Sequence, residues 1–192
     1  MKSILSIIFL ISVMFTFGCS TKTTFIPISG APNISPSSTF RVGEITDKSG
    51  FTFPADEDEV IDLKQAMTES LRKALAAKEA LAAGGAIAAE GASAAGGAIA
   101  AEGPAPWTIA VDIIKYEPGN AFSRWLMPGA GSTKLSTVAY ISDKNAQQVA
   151  KISVERSIGF GGAYTIGAWK YVFDEVATEI VDTLVDPTKR NQ

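Results

Sequence analysis

The chain of 192 residues contains no histidine and one cysteine. Without histidine there is no side chain whose ordinary pKa suits proton transfer near neutral pH, and the commonest metal ligand is missing. A single thiol cannot close an intramolecular disulfide or build a multi-thiolate zinc site. Charge is sparse: charged residues make up 19% and the formal net charge is -3, with a pI of about 5.1. No Lys/Arg cluster of the kind that follows a phosphate backbone occurs, which argues against DNA or RNA as a partner. Long apolar runs are also scarce. "ILSIIFLISVMFTF" at 4–17 stands out, and it falls short of the roughly 20 residues a membrane helix needs.

That run follows Met1 and Lys2, a short positive start, and leads into Gly18 and Cys19. Positive start, apolar stretch and small residue together have the form of a secretory signal. The junction resembles the bacterial lipobox, where a small residue precedes the cysteine. Thr16 stands where Leu is usual, and Phe17 is bulky for its place. The resemblance implies cleavage after residue 18, a diacylglyceryl group on Cys19 and acylation, such as by palmitate, of the new amine. Ser20, rather than Asp, after the cysteine implies the outer membrane. The competing reading is ordinary signal-peptidase cleavage before a spare thiol, since Thr16 and Gly18 also fit that pattern. Lipidation has a large physical consequence, because one acyl chain anchors marginally while two or three make retention nearly permanent.

Residues 19–38 are rich in Ser, Thr and Pro without an apolar period, and the composition predicts a flexible tether. Fully extended, it reaches on the order of 60 Å. A folded domain is expected over 39–186, with a C-terminal tail at 187–192. In "TFRVGEIT" (39–46), Phe40 and Val42 share a strand face. Val60, Leu63, Met67, Leu71, Ala74 and Lys78 then recur at helical spacing, apolar until the last. The preceding "DEDE" (56–59) suits the positive end of a helix dipole. It lacks the spacing and central Gly of a calcium loop.

"AAGGAIAAEG" occurs at 82–91 and again at 94–103. The period is too short for a solenoid unit, which takes 20 to 50 residues. A small-residue helical hairpin of membrane type is one reading. A duplicated low-complexity insertion spanning 82–106 is the preferred one, because paired glycines weaken helices and Glu90 and Glu102 are costly in lipid.

Alternation resumes in "WTIAVDIIKYE" (107–117), where Ile109, Val111 and Ile113 share a face. Strands follow at 133–143 and 147–158, joined by the turn "DKNA" into a hairpin. The last segment carries Trp169, Val172, Phe173, Val176, Ile180 and Leu184 as one helical stripe, stopped by Asp186 and Pro187. The expected fold is α+β: a two-layer β-α-β-β-β-α sandwich, a mixed sheet with two helices on one face. Its first crossover pairs two strands in parallel.

"GFGGAY" (159–164) lacks the third glycine of a dinucleotide fingerprint, and "GAGSTK" (129–134) lacks the Gly-Lys-Ser/Thr order of a phosphate loop. Serines are plentiful, but no histidine can activate them. No catalytic residue, cofactor site or metal site is expected.

The stretch 117–151, "EPGNAFSRWLMPGAGSTKLSTVAYISDKNAQQVAK", resembles a bacterial lipoprotein family, domain of unknown function 4410. There a strand runs into "pGn…R", a "GaG" turn, a strand ending in Asp, a short turn and another strand. Gly119, Asn120, Arg124, Gly129, Gly131 and Asp143 fall at those places. The likeness runs over about 40–185, with the Ala/Gly insertion as a departure. A wider similarity is to periplasmic domains such as the curli-secretion lipoprotein and the N-terminal domain of the Tol-Pal translocation protein. It implies a non-enzymatic binding or assembly module with a protein partner in the envelope, and brings no catalytic residue. Asn120, Phe122, Arg124 and Trp125 form the candidate interaction loop. Its apolar members either tuck under the sheet or form an exposed patch. The alternatives in function are a subunit of a membrane-associated oligomer or secretion assembly that uses the Ala/Gly segment, and a hydrolase without histidine. A pocket ringed by carboxylates of raised pKa would mark the latter.

Overall fold

The computed structural model describes residues 20–28, 32, 34–35, 38–53, 61–82, 107–119, 131–159 and 168–191. Strand β1 (Ser20–Pro27) is followed by β2 (Phe40–Asp47), helix α1 (Leu63–Ala82), β3 (Trp107–Glu117), β4 (Thr133–Ser142), β5 (Gln148–Ile158), helix α2 (Ala168–Val185) and a 3-10 turn (Lys189–Asn191). The sheet runs β1-β5-β4-β3-β2. The β2–β3 pair is parallel and the other three pairs are antiparallel. α1 packs on β2, α2 packs on β4 and β5, and the helices pack on each other. The fold is α+β, as expected, with both helices on one sheet face.

The core follows from the periodicities. Ile109, Val111 and Ile113 point to the helices, as do Leu135, Ala139 and Ile141 on β4 and Ala150, Ile152 and Val154 on β5. Met67 and Leu71 of α1 meet them, with Val172, Phe173, Val176, Ile180 and Leu184 of α2. Each such side chain contributes about 1.5–3 kcal/mol by leaving water. Asp62 caps α1, its Oδ1 accepting from the Lys64 and Gln65 amides at 2.9 and 3.0 Å. Lys78, which ends the apolar stripe of α1, sets its ammonium 4.4 Å from the Phe40 ring centre and donates to the Ser38 carbonyl. Burial lowers its pKa.

Three features differ from the sequence reading. Residues 20–27, expected as part of a tether, form an edge strand paired with β5 from Ser20↔Ser157 to Pro27↔Ala150. Thr21, Thr23 and Phe25 lie on the helix side, and Phe25 packs against the core. The predicted tail is docked as well: Arg190 donates to the Thr183, Leu184 and Ile34 carbonyls, and its guanidinium lies 5.7 Å from the Phe25 ring centre. Finally, β3 is not one uninterrupted alternation. A bulge between Ile113 and Lys115 inserts Ile114. Ile113 and Tyr116 therefore both face the helices while Ile114 is 43% exposed. The signal segment 1–18 and the insertion beyond Ala82 lie outside the described residues, as does the "DEDE" cluster. The side chain of Trp169 does too.

Candidate functional site

Cys19, Asn120, Phe122, Arg124 and Trp125 all lie outside the described residues, which border them at Ser20, Gly119 and Gly131. Ser20 opens β1. Gly119 follows β3 and Gly131 precedes β4. Both glycines have positive φ, 71° and 65°, a region that favours glycine at the two ends of this connection. The register brings these points together. Ser20 pairs with Ser157, Ser157 with Lys134 and Lys134 with Glu117. The residue after the predicted lipid anchor and the strand ends bordering the candidate loop thus share one end of the sheet.

That row carries an ion triad on the helix-free face. Glu117 accepts from Lys115 at 2.6 Å and from Lys134 at 3.1 Å. The hydrogen bond from Lys115, then that from Lys134, holds the Glu117 carboxyl below its ordinary pKa, and the same contact raises Lys115. Deeper along the same face, Asp112 is nearly buried and is met by Lys48 at 2.6 Å. Next to the triad row, Lys22 of β1 lies opposite Glu155.

On the helix side a shallow polar cleft is lined by Thr21, Arg156, Asp174, Glu175, Thr178 and Glu179. Its groups are engaged with one another. Arg156 Nε donates to Glu175 at 2.7 Å and its Nη1 to the Thr21 hydroxyl. Thr23 donates to Glu179 at 3.1 Å. Asp174 accepts from Ser70 at 2.8 Å and from Lys73 at 2.6 Å, which clasps α1 to α2. The carboxylates displaced in acidity among the described residues, Glu117, Asp143 and Asp186, are all displaced downward. That is the opposite of what a general acid near neutral pH requires. The cleft fastens β1 and α2 to the sheet. Sequence reasoning missed it because its members are spread over β1, β5 and α2.

A second, apolar groove of about 340 Å³ runs between the helices, lined by Ala74, Ala77, Leu81, Val181 and Val185 with Lys78 and Asp182 at its edges. Leu81 is 79% exposed there. Among the described residues no three His, Cys, Asp or Glu side chains are placed to hold a metal ion. No described helix is long and apolar enough to cross a membrane.

The family model "Domain of unknown function (DUF4410)" matches residues 44–162. No curated protein matches the chain. Among solved structures, a variant PelC dodecamer from Paraburkholderia phytofirmans is similar, with 14% identity, 86% of this chain and 99% of that chain covered, and a TM-score of 0.45. A second PelC dodecamer from the same organism shows 10% identity, 87% and 98% coverage and a TM-score of 0.43.

Proposed function

We propose a role from the premise that this chain belongs to the family of domain of unknown function 4410. It is a lipid-anchored, non-enzymatic binding or assembly module of the cell envelope. Cys19 carries diacylglycerol, the domain sits on the periplasmic face of the outer membrane, and its partner is an envelope protein. The observation that carries this reading is the junction at residue 19. A signal-like apolar run leads into Gly18 and Cys19, and the next residue, Ser20, already belongs to strand β1. The site geometry agrees with a binding role. Its carboxylates are tied in ion pairs and hydrogen bonds that build the fold, rather than aimed into an open cavity.

Mass spectrometry of the protein from a Gram-negative host tests the anchor. The expected mature chain starts at Cys19 and carries acyl and diacylglyceryl mass. Cys19→Ser should lose that mass and move the protein out of the membrane fraction. A wild-type chain with a free thiol, or one that keeps residues 1–18, overturns the reading. Crosslinking in cells followed by pull-down then identifies the partner.

A further inference from the structure

The sheet end that carries Ser20 has a defined partner. We propose that it is the phospholipid headgroup surface of the anchoring bilayer, against which the row Ser20, Ser157, Lys134 and Glu117 is held. This rests on the lipid at Cys19 and goes beyond it, because an anchor alone does not orient a domain. Orientation comes from the lack of slack. β1 is paired from Ser20 onward, so one peptide step, about 3.8 Å between Cα atoms, separates the lipid-bearing residue from the ordered sheet.

The strand is also firmly seated. Its eight residues are paired with β5 along their length. On the helix side Thr21 is bonded to Arg156, Thr23 to Glu179, and Phe25 lies under Arg190. To lengthen the link to the lipid, β1 would have to peel from β5 and break these contacts together. The antiparallel order then decides which groups face the lipid. The start of β1, the end of β5, the start of β4 and the end of β3 lie at one end. The β4–β5 turn at Asp143 and Ala146 lies at the other. With 11 residues in β5 and about 3.3 Å per residue, the turn stands about 35 Å further out.

The chemistry of the near end suits headgroups. Lys115 and Lys134 flank a single carboxylate, Glu117. The triad therefore keeps one positive charge in excess, which offers ammonium donors to phosphate without a concentrated basic patch.

The test uses full-length lipidated protein in phosphatidylethanolamine/phosphatidylglycerol vesicles containing a headgroup-attached quencher. A fluorophore is placed at Ser157→Cys or at Asn145→Cys. The expected result is strong quenching at 157 and several-fold less at 145. A flexible insert of about twenty residues between Cys19 and Ser20, whose coil spans roughly 25 Å, should bring the two signals close together. The amides of β1 that face β5, every second one back from Ile28, whose N–H donates to the Val149 carbonyl at 2.9 Å, should resist hydrogen exchange in the vesicle-bound protein. Equal quenching at both positions in protein whose lipid is confirmed by mass overturns the orientation and leaves the anchor standing, as does rapid exchange of those amides. Absence of the lipid mass overturns the anchor itself.

Discussion

Thr23 of β1 donates a hydrogen bond at 3.1 Å to Glu179 of α2, across 156 positions of sequence. The contact ties β1 to α2. Beside it the Arg156 guanidinium joins Thr21 to Glu175. Both links would be meaningless in a tether.

Phe25→Ala therefore separates a strand from a tether. The ring is partly buried against the core and lies under Arg190. Truncation should cost about 1–3 kcal/mol, less than the loss of a fully buried aromatic. Urea denaturation measures it, and an unchanged midpoint would count against a packed β1.

Gly43 sits where β2 shifts register against β3. A Cβ there would approach Thr108 Cγ2 at 2.7 Å and the Ile109 carbonyl at 3.3 Å. Thr108 cannot rotate away freely, because its hydroxyl accepts from Arg41 Nε at 2.8 Å. Gly43→Val should destabilise by roughly 1–3 kcal/mol through overpacking, read as a lowered Tm. A neutral result would show that the two strands move apart readily.

Thr137 faces the helices at 2% exposure, and its hydroxyl finds no hydrogen-bond partner among the described residues. Thr137→Val keeps the shape and removes an unpaid desolvation. Stability should rise by about 1 kcal/mol. A fall in the urea midpoint would reveal a partner for the hydroxyl.

Glu117 makes a pH prediction. Its folded pKa is depressed, first by Lys115 and then by Lys134. Such a group contributes stability that is complete above its ordinary value of 4.5. The contribution is lost as pH falls through the lower folded value. With the side chain 38% exposed, solvent screening holds the effect under about 1 kcal/mol. NMR titration should find the Glu117 midpoint below 4.5, the ordinary value. Glu117→Gln should lose stability at neutral pH and show a flatter acid limb.

Deletion of 82–103 should leave the protein resistant to alkaline extraction, held by the lipid on Cys19. Release of the deletion variant, with the lipid still present, would transfer the anchoring role to the Ala/Gly segment.

Much of this architecture is legible in the sequence because burial imposes period on it. Ile109, Val111 and Ile113 announce β3 by twos, and Phe173, Val176, Ile180 and Leu184 announce α2 by threes and fours. β1 is an edge strand whose inward positions are Thr21, Thr23 and Phe25, so its period is written in β-branched hydroxyls rather than aliphatics. The signal is present, since threonine favours strands, but Ser, Thr and Pro also compose linkers. Ile114 hides for the opposite reason: it is as apolar as the buried Ile113 before it, and the bulge turns it outward. The contacts of Arg156 and Arg190 are unreadable because their partners are distant in sequence. The predicted anchor at Cys19 and the candidate loop from Asn120 to Trp125 rest on composition and resemblance alone, since both lie outside the described residues.

The place of β1 in the sheet also bears on how the protein reaches its native state. Thr21 must find Arg156, 135 positions away, before the sheet has its fifth member. The β4–β5 hairpin, closed by a short turn, can form early and cheaply. β1, synthesised before the other described strands, is among the last to be satisfied, and until then the outer edge of β5 is an open template for another chain. A holding chaperone that covers that edge would guard yield more than any gain in final stability.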